Sequence, residues 1–164
     1  MAEIQSIPSP KNQLLITHAA NRDLPDLCYR IPEEANKLLL LSLCISDLIT
    51  FENRPAIWVE SAMVFSDEAD LELLRGYMRG CGEVRDEYDA PATIFDFNEC
   101  HRFLAFTRLA LVFSWDAWIF ETKSDRIFIQ LQHDGFLSIW VSDVAKVPVI
   151  EQGLNASGFQ RMTN

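Results

Sequence analysis

The sequence predicts an α+β fold: an antiparallel sheet with a C-terminal three-stranded meander and helices packed on it. Three observations predict it. Val112 to Asp143, VFSWDAWIFETKSDRIFIQLQHDGFLSIWVSD, reads as a three-stranded antiparallel meander, its short runs rich in aromatic and β-branched residues and separated by turn signals. The helical patterns fall upstream in separate runs rather than alternating with strands. Nearly half of the 164 residues are apolar, enough for a core without disulfide or metal staples.

The second and third meander strands are Arg126 to Gln132 and Phe136 to Ser142, with His133-Asp134-Gly135 between them. A two-residue Asp134-Gly135 loop sets Leu131 opposite Ser138 and mixes polar with apolar residues on both faces. A three-residue loop with a left-handed Gly135 pairs Leu131 with Leu137, Ile129 with Ile139 and Ile127 with Val141 on one face. Phe128 then faces Trp140, and Gln132 faces Phe136, on the other. A one-residue slip would turn the whole apolar set over, so the bulged turn is expected.

The first strand, from about Val112 to Glu121, has two registers. A Lys123-Ser124-Asp125 loop puts Trp115, Ala117 and Ile119 on the core face, with Asp116, Trp118 and Phe120 behind. A loop longer by one residue exchanges the sets, and aromatics on both faces leave the choice open. On the first register the second face carries Trp118, Phe120, Phe128, Phe136 and Trp140 among Asp116, Gln130, Gln132 and Ser138. Two readings of that face stand side by side. Covered by a helix, it is plain core. Half-exposed, it is a binding face, since large aromatics among short polar groups suit an interface.

Residues up to about Gln13 are polar with Pro8 and Pro10, so the N-terminus (about 1–12) is expected to be loose, with Leu14 to Thr17 as a short edge strand. Asn21 to Pro32 reads as a connection. Glu33-Glu34 opens a helix whose stripe is Leu38, Leu41, Ile45, Leu48 and Ile49. The largely apolar run Leu38 to Ile45 predicts burial on most sides. Arg54-Pro55 breaks the chain. Ile57 to Phe65 is strand-like, with helical continuation as the alternative.

Ser66 or Asp67 caps a helix from about Glu68 to Met78, with Leu71, Leu74, Tyr77 and Met78 as its stripe and Gly80-Cys81-Gly82 as its end. Glu83 to Pro91 is a charged loop. Asp96-Phe97-Asn98-Glu99 has capping-box spacing, and the helix it opens carries Phe97, Cys100, Phe103, Leu104 and Leu111. Pro148, Gly153 and Gly158 predict loop and a loose tail over about 152–164. The length fits a single domain.

The formal net charge of −10 argues against nucleic acid or an anionic membrane as direct partner and admits a basic protein. Glu60 to Glu99 holds eleven acids and three arginines, most of that charge. Such a block is either a solvated surface or an interaction surface. Asp86, Glu87 and Asp89 of that block, with Asp116, Trp118, Phe128 and Trp140, are the expected partner-binding residues.

No catalytic residue, cofactor or metal ligand is expected. His133-Asp134 is a tempting acid–base pair, but neighbours at a strand end point to opposite faces, and Asp-Gly is ordinary turn chemistry. Cys81, flanked by glycines near Arg79 and Arg85, has the setting of a thiolate, but a helix-ending turn explains the glycines. His101 and Glu99, two apart on a helix, lie on different faces. The Asp86–Asp89 run lacks EF-hand spacing. Cys28, Cys44, Cys81 and Cys100 match no zinc spacing, and Cys44 and Cys100, in apolar runs, read as buried thiols. The first thirteen residues lack a signal-peptide pattern, so the cytoplasm is the expected compartment.

WDAWIFE…RIFIQLQHDGFLSIW on a small acidic α+β chain resembles bacterial immunity proteins, which neutralise a cognate toxin. The resemblance covers the meander and overall character. It implies a binder that meets a basic toxin domain with acids and aromatics and has no catalytic site. The acidic secretion chaperones are similar in size and charge, but many carry a long C-terminal amphipathic helix that this sequence lacks. A small hydrolase-type enzyme is the alternative from another class.

Overall fold

The meander forms as its pattern predicts. In the computed structural model, which describes residues 25–61, 68–80 and 92–162, β4 (Asp116–Glu121), β5 (Ile127–Gln132) and β6 (Phe136–Val141) run antiparallel in sequence order. Leu131 faces Leu137, Ile129 faces Ile139, Ile127 faces Val141 and Phe128 faces Trp140. Gly135 sits at φ +87° and donates its N–H to the Gln132 carbonyl at 3.0 Å, closing the three-residue bulged turn. The open register of β4 resolves to the first alternative: Ile119 faces Ile129 and Trp118 faces Gln130.

Three further strands complete a six-stranded sheet in the order β1-β6-β5-β4-β2-β3, antiparallel throughout. β1 (Leu27–Arg30) pairs with β6, and this corrects the reading of Asn21 to Pro32 as a mere connection. Pro25 and Pro32 bracket it, leaving a short edge strand between two residues that suit turns. β2 (Pro55–Ser61) pairs with β4 and begins after Arg54, held left-handed at φ 50°. Its first residue is proline, a position that needs no ladder N–H. The two-residue β3 (Thr93–Ile94) closes the other edge and was not foreseen.

Among the described residues four α-helices accompany the sheet: α1 (Ala35–Leu48), α2 (Glu68–Gly80), α3 (Cys100–Val112) and α4 (Val147–Ala156). The expected capping box is present: Asp96 N–H donates to Glu99 Oε2 at 3.1 Å while the Asp96 carboxylate accepts from the Glu99 backbone. That box opens a single 3₁₀ turn that runs into α3. α4 replaces the predicted loop and loose tail. Pro148 lies in its first turn, where a missing N–H costs nothing, and Gly158 at φ +87° ends it. Phe159 then turns back into the core.

One sheet face builds the main core. Ile57, Ala117, Ile119, Ile129, Leu131, Leu137 and Ile139 meet Leu38, Leu41 and Ile45 of α1, Phe103, Phe106 and Ala110 of α3, and Leu154 of α4. Tyr77 of α2 stacks on Phe106 with ring centroids 4.6 Å apart. Two expectations about the helices need correction. Phe97 and Cys100 are exposed rather than buried, because α3 turns Phe103, Phe106, Thr107, Ala110 and Leu111 inward. α1 is not buried on most sides: Leu39, Leu40 and Leu43 stand in solvent at 39–42% exposure.

Candidate functional site

On the second sheet face the strands bring together most of the aromatics that the sequence singled out. Alternation along β4, β5 and β6 lines up Trp118, Phe120, Phe128 and Trp140, with Ala56, Ala92 and Ile94 beside them and Trp58 at the margin. Trp118 stacks on Trp140 across β5 at 5.4 Å between ring centroids and 30° between planes. Phe120 stacks on Phe128 at 6.3 Å. This is not a half-exposed binding face: Trp118, Phe128 and Trp140 are between 4 and 7% exposed. It is a second core, and no helix residue whose side chain is described belongs to it.

Asp116 lies at the polar end of the same face, and its carboxylate is already engaged. Asp116 Oδ1 accepts the His133 backbone N–H at 2.8 Å, and His133 Nδ1 lies 2.8 Å from Oδ2 and 3.0 Å from Oδ1. A carboxylate only accepts, so Nδ1 carries a proton in this contact, and Nε2 is the ring nitrogen that Asp116 does not engage. The tempting partner of His133 was Asp134. The true one is Asp116, seventeen residues upstream, which strand pairing sets beside the hairpin. The signal was in the register: with Ile119 opposite Ile129, Asp116 falls opposite Gln132, next to His133. Gln132 Nε2 also donates to Gln130 Oε1 at 2.9 Å on this face. The dyad can orient an imidazole for proton transfer at Nε2, and no nucleophile hydrogen-bonds to that nitrogen among the described residues.

Asp86, Glu87, Asp89 and Cys81 lie outside the described residues. The acids of Glu60 to Glu99 whose side chains are described each face an arginine. Glu72 lies 2.7 Å from Arg75, Asp96 lies 3.1 Å from Arg54, and Glu99 lies 2.9 Å from Arg102. By contrast, Glu33, Asp47, Glu52, Asp125 and Asp134 are exposed, and no basic side chain lies within ion-pair distance of them among the described residues. No group of three or more metal-ligating side chains occurs among the described residues, and no described helix is long and apolar enough to cross a membrane.

No protein-family model, curated protein or solved structure matches this chain.

Proposed function

We propose that the chain is a non-catalytic module that binds a basic protein. The observation that carries this reading is the state of its acids. The formal charge is −10, and five acids at separate places along the chain stand in solvent without a basic partner among the described residues. Charge left unpaired is available to steer a basic partner into contact. Asp86, Glu87 and Asp89 extend that acidic character in sequence. In its finer form the reading is a cytoplasmic bacterial immunity protein that neutralises a basic toxin domain, supported by the resemblance of WDAWIFE…RIFIQLQHDGFLSIW to that group.

The test begins with proteins that co-purify with the chain from its host and continues with the purified partner in stopped-flow association. The partner should be basic, and its association should slow steeply with salt. Neutralising Asp86, Glu87 and Asp89 together should slow association at low salt and flatten the salt dependence. A partner that is itself acidic, or an association rate indifferent to salt, would falsify the reading.

The Asp116–His133 dyad favours one second reading, a small hydrolase-type enzyme using His133 Nε2 as base. A hydrolytic activity lost in His133→Ala, with folding retained, would select it over the binder.

A further inference from the structure

We propose that the outward face of α1 is the surface on which the basic partner docks, and that the partner presents an amphipathic helix with an apolar stripe flanked by lysine or arginine. The inference rests on the binding reading above and names its surface. Leu39, Leu40 and Leu43 are 39–42% exposed, although the whole apolar run Leu38 to Ile45 reads as core. At 3.6 residues per turn they fall on the side opposite Leu38, Leu41 and Ile45, which are buried. Leu39 with Leu43, and Leu40 with Leu43, have the spacings that make neighbours along a helix, so the three form one stripe rather than scattered singles.

The helix cannot roll to bury this stripe. Leu41 and Ile45 are fixed in the main core, and buried Ser42 accepts from Arg108 Nε of α3 at 3.3 Å. Rotation would expose the first pair and break the second contact.

Charge selects the occupant. Glu33 precedes the helix and Asp47 lies in its last turn, both exposed and without a basic partner among the described residues; Glu52 follows just beyond. The carbonyl end of the helix adds negative potential beside Asp47. Asp47 thus sets acid at the C-terminal end of the leucine stripe, while at the other end the Glu34–Lys37 ion pair lies between Glu33 and the leucines, leaving the margin net acidic. A second copy of the chain would bring another −10 to a margin that is itself net acidic, so self-pairing is disfavoured. A helix with apolar residues at i, i+3/i+4 and cations at its margins satisfies both features. The 14 residues of α1 span about 21 Å, enough for a partner helix of roughly four turns.

The test uses the full chain and two synthetic 18-residue peptides of identical leucine and lysine content. One places every leucine on a single helical face, and the other scatters them. Binding is followed by calorimetry, and the contact is mapped by amide chemical shifts. The striped peptide should bind about tenfold more tightly than the scattered one, with shifts centred on residues 39–47. The double variant Leu40→Ser/Leu43→Ser should lose that advantage and bind both peptides alike, while circular dichroism and sedimentation stay those of wild type. Equal binding of the two peptides by wild type overturns the α1 surface and leaves the charge-driven reading standing. Binding of neither peptide at low salt counts against both. A wild-type dimer dissolved by the double variant would make the stripe a self-interface and overturn the partner-helix proposal.

Discussion

The carboxylate of Glu121, fully buried at the end of β4, lies 2.6 Å from Arg126 Nη2 across the β4–β5 turn. Glu121 also accepts the Thr50 backbone N–H at 2.7 Å and Asn53 Nδ2 at 2.9 Å. The same Arg126 nitrogen donates to the Leu48 carbonyl and to Thr50 Oγ1. This cluster clamps the hairpin turn onto the chain that leaves α1, and Thr122 and Lys123 add hydrogen bonds to Asn53 and Arg54. A lone buried carboxylate would be costly. Here it is paired and hydrogen-bonded, as buried charges must be.

Removing one member should therefore cost more than removing both. Glu121→Gln leaves Arg126 short of its counter-charge and should lose on the order of 3 kcal/mol at pH 7. Replacing both residues, as in Glu121→Leu with Arg126→Met, should be close to neutral. Burial pushes the Glu121 carboxyl up, but the hydrogen bonds from Arg126, Thr50 and Asn53 and the Arg126 charge outweigh it, so the folded-state value lies below the ordinary one. The pair's contribution is thus complete above the unfolded glutamate's value of about 4.3 and is lost as pH falls through the lowered folded value. Urea unfolding from pH 7 to 3 should show wild type converging on Glu121→Gln at the acid end. A constant gap between them would contradict the clamp.

The burial of the second sheet face changes what its tryptophans should do. Trp118→Ala and Trp140→Ala should each destabilise the chain by about 3–5 kcal/mol, since each removes a stacked, enclosed ring. Trp140 Nε1 has no hydrogen-bond partner among the described residues, so Trp140→Phe should cost less than about 1.5 kcal/mol despite the smaller ring. Equilibrium urea midpoints would report this ordering. A Trp140→Ala variant as stable as wild type would mean that the ring is not core.

The local parts of this fold were legible, and the parts decided at a distance were not. Leu131 opposite Leu137 follows from period-two alternation and one glycine, and the Asp96–Glu99 box from spacing alone. β1 and β3, with four and two residues, are too short to carry an alternation signal. Pro148 signals a break by residue type alone, whereas in the first turn of α4 it starts a helix. The larger misreading concerned exposure. Both the Leu38–Ile45 run and the Trp118–Trp140 face are apolar, and composition does not say which one the rest of the chain covers. The leucine run is expected inside and the tryptophan face reads either as core or as half-exposed; the structure leaves Leu39, Leu40 and Leu43 outside and buries the tryptophans.

Gly135 offers a direct check on the turn that sets the register. Its φ of +87° disfavours any L side chain, although a Cβ there would meet no atom within 4 Å. Gly135→Ala should therefore cost about 1 kcal/mol from backbone strain alone, with no clash. The loss should appear as a lower thermal midpoint with native-like amide shifts in β1 and β4. An unchanged midpoint would argue that the turn relaxes to another form, breaking the Ile31 N–H to Gly135 carbonyl bond, now 2.8 Å.

Tyr29 gives the reverse case, a substitution that should help. The ring is buried in the main core, but its hydroxyl has no hydrogen-bond partner among the described residues. Burial, and then the charge of Glu151, push the phenol above its ordinary value, against the lowering effect of Arg161. A buried hydroxyl without a partner keeps its desolvation cost and gains nothing in return, so Tyr29→Phe should stabilise the chain by about 1 kcal/mol. Because the folded value is raised, tyrosinate formation opposes folding only at strongly alkaline pH. Wild type should therefore lose stability there as the unfolded phenol ionises near pH ~10, while Tyr29→Phe does not. Chemical denaturation at pH 7 and at pH 10.5 would measure both effects. Loss of stability in Tyr29→Phe at pH 7 would show that the hydroxyl is hydrogen-bonded after all.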